Sequence, residues 1–182
     1  PRSSATPASS PGQGKRAAFV QVAAVRFDPF GTLLSEKPEH PHLPTVFYHN
    51  VSLDSAGKLG LQMDVSTIEW GIRQGDEARR SLFEPEPKLI GFVLTQLKRF
   101  VDWKEDYVWA KGPSFDLAIL SEAYRLNGEK YGLCNYAHER CVRTVQDWAQ
   151  IPAEVELLDE GAHNALADAW HQARLVQMAA QP

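Results

Sequence analysis

Residues 17–27, AAFVQVAAVRF, are apolar and rich in β-branched side chains along almost their whole length. A run of that composition reads as a buried strand, and a buried strand needs neighbours that cover it. DPFG turns the chain directly after it, and TVFYHNV, residues 45–51, alternates with the period of two expected of a second strand. The two runs predict a meander. Helix-like stretches follow. In VSTIEWGIRQG, Ser66 and Glu69 have capping-box spacing and Gly75 supplies a stop. In PKLIGFVLTQLKRFVDW, Ile90, Val93, Leu94, Leu97 and Val101 fall on one face behind a proline suited to a first turn. DYVWAKG is a short strand with a tight exit. That exit leads into KGPSFDLAILSEAYRLNG, a helix with Ser114 as its expected N-cap, a core face of Leu117, Leu120, Ala123 and Tyr124, and Gly128 as its end. ERCVRTVQDWAQ is expected as a further helix before Pro152. The last helix is expected to begin near Asn164, with Leu166, Ala169, Ala173 and Val176 facing the core.

With 182 residues, 43% of them hydrophobic and 23% charged, the chain suits one domain with a sizeable core, not two. Residues 1–16, PRSSATPASSPGQGKR, carry no acid and no large apolar side chain, so they are expected to be a disordered lead to a domain spanning 17–182. No internal repeat is visible. A net charge of −4 and a pI near 5.9 exclude a broadly basic protein held to nucleic acid by bulk electrostatics, while leaving room for a local basic patch. Cys134 and Cys141 are the two cysteines, and the sequence has neither a membrane-length apolar run nor a charged-then-apolar leader. The expectation is a reduced, soluble, cytoplasmic protein with no membrane partner.

Three polar residues stand at element boundaries. Asp116 falls in the first turn of the helix entered through GPSF. In DEGAHNALADAW, residues 159–170, His163 lies just before the last helix and Asp168 just inside it. Taken singly, an acid in a first turn complements the helix dipole, and a histidine ahead of a helix is a capping or surface residue.

Taken in order they form a layout. With FVQVAAVRFDP, STIEW, GPSFDLAIL, RCVRT and AHNALAD in sequence between residues 17 and 180, the chain resembles the 3'-5' exonucleases of the DEDDh type in the ribonuclease H-like superfamily. It is similar to the kind found in phage exonuclease A and related bacterial exoribonuclease-like domains. The resemblance implies an α/β, three-layer fold, a mixed five-stranded sheet with helices on both faces. It also implies hydrolysis of phosphodiesters from the 3' end of single-stranded DNA or RNA with two Mg²⁺ or Mn²⁺ ions about 4 Å apart. Within it Asp116 and Asp168 match metal ligands, and His163 matches the general base, a role that suits an imidazole near neutral pKa. Trp70 matches a base-stacking aromatic, although Gly71 stands where the family has a second one; Phe115 and Arg143 are further candidates for touching substrate. For each there is a plainer reading, as a core or surface aromatic for Trp70 and Phe115 and as a surface ion pair with Glu139 for Arg143. A homodimer is also implied, as in related exonucleases.

One motif of the resemblance is missing. The family carries Asp-x-Glu on a strand ahead of the AAFVQVAAVRF run, and counting back by its usual interval lands on Pro7 and Ser9. Asp28 sits at the far end of the next strand, which should run antiparallel, so it is a poor replacement. The first strand is therefore expected to be absent or degenerate. Three readings stay open: a truncated enzyme, an inactive module that binds nucleic acid or protein on the same fold, or a sheet whose first strand comes from outside. A rival of another kind is a zinc site at Cys134, His138 and Cys141 in CNYAHERC. Structural zinc normally takes four ligands in tighter pairs, and this segment runs into a helix that the exonuclease reading already uses.

Overall fold

Gln21–Val25 (β1) and Val46–Asn50 (β2) pair antiparallel, with Val22 opposite His49, Ala24 opposite Phe47 and Val25 opposite Val46. The structure is a computed structural model that describes residues 16–34, 45–63, 76–152 and 165–181 together with 65, 69 and 73; the side chains of 77–79 lie outside it. The turn after β1 forms as expected: the Asp28 carboxylate accepts from the Phe30 N–H at 2.9 Å, and its carbonyl accepts from Gly31 at 3.1 Å.

Six helices are described: Leu53–Leu59 (α1), Asp76–Ser81 (α2), Ile90–Phe100 (α3), Pro113–Leu126 (α4), Val142–Trp148 (α5) and Ala165–Ala180 (α6). The period of two in β1 and β2 sorts their side chains between two layers of helix. Val22, Ala24 and Phe47 join Ala56 of α1, the α3 stripe Ile90, Val93, Leu94 and Leu97, and Ala123 and Tyr124 of α4. Ala23, Val25, Val46 and Tyr48 point the other way, onto Leu166 and Trp170 of α6. The β1–β2 pair is thus covered on both faces, and the apolar character of residues 17–27 is accounted for.

The expected α3 and α4 core faces are buried, with Leu120 only partly so. Other expectations need correction. Ser114 is not the cap of α4; Gly112 holds that position without a side-chain bond and Pro113 begins the helix, because a fixed φ and a missing N–H suit the first helical residue. Pro87 precedes α3, whose N-cap is Leu89. The sequence reading contained no helix at 53–59, yet Ser52 caps one by accepting from the Ser55 N–H at 3.3 Å, and Gly60 closes it at φ 103°. Glu139–Cys141, expected as helix, is a strand (β4) that pairs parallel with Val108–Ala110 (β3), so a ladder partner overrides the local helical pattern. The capping residue Ser66 and Gly75 lie outside the described residues.

Among the described residues the strands form two pairs, antiparallel β1–β2 and parallel β3–β4, where one five-stranded sheet was expected. Helix α6 packs on β1 and β2 and also reaches β3 and α5. Its C-terminal half contributes Leu175 and Val176 to a cluster with Val142, Trp109 and Phe27. No helix among the described residues is long and apolar enough to cross a membrane.

A buried polar network fixes the first pair to its surroundings. Fully buried Asn50 donates to the carbonyls of Ser81 at 2.8 Å and Pro85 at 2.7 Å. Gln21 donates to the Tyr48 hydroxyl at 2.9 Å and accepts from the Ala165 N–H at 3.2 Å, so β1 holds the first residue of α6. Asn50→Ala removes two donated bonds and leaves two carbonyls without them. The variant is expected to lose about 2–3 kcal/mol, read as a lower urea midpoint at unchanged slope.

Candidate active site

The chain leaves β3 at Ala110 and turns through Lys111 and Gly112. Gly112 has φ 126°, where a side chain would be strained, and a Cβ there would lie 3.7 Å from Arg143 Nη1. That distance is ordinary contact, so it is the positive φ of the turn, not the space beside Arg143, that calls for glycine. Its carbonyl accepts from the N–H groups of Phe115 at 2.8 Å and Asp116 at 3.3 Å, which sets Asp116 in the first turn of α4.

Asp116 is exposed as a residue, but its carboxyl group is hemmed in. Burial raises its pKa above the ordinary carboxylate value, and the Arg143 charge acts in the opposite direction. The exposure of the residue limits the effect, and the sign is informative: the protein does not fully compensate this carboxylate for lost water, and a bound cation would. Phe115, 64% exposed, does not seal the core and is free to meet a ligand. Arg143 is exposed at the start of α5, and its charge falls on Asp116.

The second half of the candidate site comes from α6. Asp168 lies half-buried in its first turn, ahead of the buried run Trp170, Ala173 and Val176. The structure therefore brings Asp116 and Asp168 onto two helices that both pack against β3. His163 and Trp70 lie outside the described residues. Asp116 and Asp168 offer the oxygen donors that a hard divalent cation requires, but two carboxylates are too few to complete its coordination without water or further ligands. Among the described residues no three His, Cys, Asp or Glu side chains form a group that could hold a metal.

A model of the 3'-5' exoribonuclease Rv2179c-like domain matches residues 11–180. The chain belongs to that family. It is also similar to the exodeoxyribonuclease of Enterobacteria phage T4, with 26% identity over 193 residues covering 86% of this chain and 79% of that protein. No solved structure matches it.

In this Rv2179c-like domain the zinc rival finds no support, because among the described residues Cys134, His138 and Cys141 form no group that could hold a metal. Burial, with Glu139 nearby, pushes the Cys134 thiol up to about 11, against the thiolate a zinc site needs, whereas a hydrogen bond to Thr144 lowers that of Cys141. Lys111, the residue after β3, and His171 and Arg174, on the same helix as Asp168, were not singled out from the sequence. On α6, burial chiefly lowers the His171 pKa, and the positive charges of Lys111 and Arg174 lower it further. Arg174 Nη1 is buried and has no hydrogen-bond partner among the described residues. A signal was present: in ADAWHQAR, positions 168, 171 and 174 recur every three residues along one helix.

Proposed function

We propose that this domain is a metal-dependent 3'-5' exonuclease that hydrolyses phosphodiesters from the 3' end of single-stranded nucleic acid, with Asp116 and Asp168 as its metal ligands. The observation that carries the reading is the placement of Asp116: an incompletely compensated carboxylate beside Arg143 where β3 gives way to α4, in a chain of the Rv2179c-like family. Bound Mg²⁺ or Mn²⁺ would polarise the scissile phosphate and stabilise the charge that develops on it. The chain's own residues do the rest. Asp116 and Asp168 hold the cations, His163 accepts the proton of the attacking water, Arg143 meets a phosphate oxygen, and Phe115 and Trp70 offer faces for the terminal bases. A homodimer is compatible with this reading but is not required by it.

The sheet is completed, on this reading, by a strand carrying Asp-x-Glu between β1 and β3. Two features support that position: each of these strands has one ladder partner among the described residues, and α6 packs across both. The sequence contains no Asp-x-Glu, which favours a second reading for this chain by itself, a module that binds single strands without cleaving them. Both readings are tested with end-labelled RNA and DNA in Mn²⁺, using the chain, a version with an Asp-x-Glu strand added, and His163→Ala in each. The completed protein should release nucleotides from the 3' end, and His163→Ala should slow it about 10²–10⁴-fold and remove the histidine limb of the pH profile. Cleavage untouched by His163→Ala would rule out the assigned base. Binding without cleavage by the unmodified chain would support the second reading.

A further inference from the structure

We propose that Lys111, His171 and Arg174 form a cradle for one backbone phosphodiester of a single-stranded nucleic acid, beside the Asp116–Asp168 site. This deepens the nucleic-acid reading and rests on it.

The observation that demands explanation is the Arg174 guanidinium. Its Nη1 group is buried with no hydrogen-bond partner among the described residues, although the side chain as a whole is only half-buried, and a buried N–H left unpaired carries a desolvation cost that an anion would meet. Its surroundings make the imbalance worse. Beyond the effect of burial, Lys111, the residue after β3, and Arg174, one helical turn on along α6, both place positive charge in the neighbourhood of His171. The lowered pKa leaves His171 neutral at pH 7, able to donate an N–H without adding a third charge. Such a set of donors fits an anion held by two charges and one neutral hydrogen bond.

Position identifies the anion. His171 and Arg174 follow Asp168 by three and six residues, about 4.5 and 9 Å further along the axis of α6 at the usual helical rise. Lys111 precedes Asp116 by five residues across the β3–α4 turn, and α6 packs on β3. His171 and Arg174 thus lie beyond Asp168 along α6, and an anion held there would sit next to the candidate site, as the neighbouring phosphate of a polymer engaged at its 3' end would. A guanidinium and an ammonium are suited to that oxygen-rich, singly charged group. A free phosphate shares the chemistry, so the test separates the two sources.

The test is binding of a 5'-fluorescein oligoribonucleotide to the full chain in EDTA, followed by anisotropy at increasing KCl, for wild type, Arg174→Met and Lys111→Gln. With hydrolysis silenced, Arg174→Met should weaken binding about 10-fold and reduce the salt slope by about 1. Its unfolding temperature without nucleic acid should stay level or rise, since an Nη1 group that is buried without a hydrogen-bond partner among the described residues gives way to an apolar chain of similar length. Unchanged affinity, or weaker binding at an unchanged salt slope, would overturn the proposal. If Arg174→Met does not fold, Lys111→Gln decides by the same two readouts. A thermal shift from inorganic phosphate equal to that from the oligonucleotide would mark a free-anion site and likewise overturn the polymer assignment. Failure here leaves the active-site reading intact if the strand-completed protein still cleaves, whereas loss of cleavage with binding intact counts against that reading alone.

Discussion

Addition of a strand carrying Asp-x-Glu ahead of Ala17 is expected to raise the rate of 3'-end hydrolysis in Mn²⁺ by about 10³-fold or more over the unmodified chain. The physical reason is charge. Two carboxylates, Asp116 and Asp168, cannot neutralise and position a pair of divalent cations, and cation placement is worth several kcal/mol of transition-state stabilisation, with each 1.36 kcal/mol a factor of about ten. The same strand would supply ladder partners to β1 and β3, so the unfolding temperature should rise with the rate. A control strand with Asn-x-Gln separates the two effects: it should restore stability and leave the rate low. Equal rates with and without the acidic strand would show that the chemistry does not use those carboxylates.

The second large effect is expected at the carboxylates already present. In the strand-completed protein, Asp116→Asn and Asp168→Asn should each lower kcat about 10³-fold, the scale of several kcal/mol of lost charge stabilisation. Asp116 carries a further signature. Burial raises its pKa in the folded protein, so ionisation opposes folding in full above that pKa, and the penalty fades as pH falls from there and is gone below the ordinary carboxylate value. Asp116→Asn removes that penalty. At neutral pH the metal-free variant should therefore unfold at the same temperature as wild type or higher, while the stabilisation that Mn²⁺ gives the wild type is reduced. A thermal shift series over Mn²⁺ concentration reads both. A variant that is less stable without metal and unchanged in its response to metal would make Asp116 a helix-dipole partner and nothing more.

The helices were legible where their own periodicity was decisive. Ile90, Val93, Leu94 and Leu97 recur at helical spacing, and each is buried against β1 and β2. The strand at 46–50 was legible from its period of two, and that at 21–25 from a continuous apolar run. Glu139–Cys141 was not, because its sequence suits a helix start and only its pairing with Val108–Ala110 makes it a strand. Ser114 suits a cap because serine is the usual choice, but Pro113 before it fixes where the helix begins.

The site divides along the same line. Asp116 and Asp168 could be proposed because motif order is a property of the chain, and the sequence by itself determined the family and holds no Asp-x-Glu, whereas the start of α4 was decided by Pro113 and not by the expected Ser114. Phe115 could be read as core or surface until the fold left it exposed. Only tertiary structure could bring Arg143 to Asp116, set Gly112 under the guanidinium, and gather Lys111 with His171 and Arg174, residues some sixty positions apart. Burial and the approach of charges across elements depend on how β3, α4, α5 and α6 pack, and no local pattern encodes a distance between segments that meet only when the chain has folded.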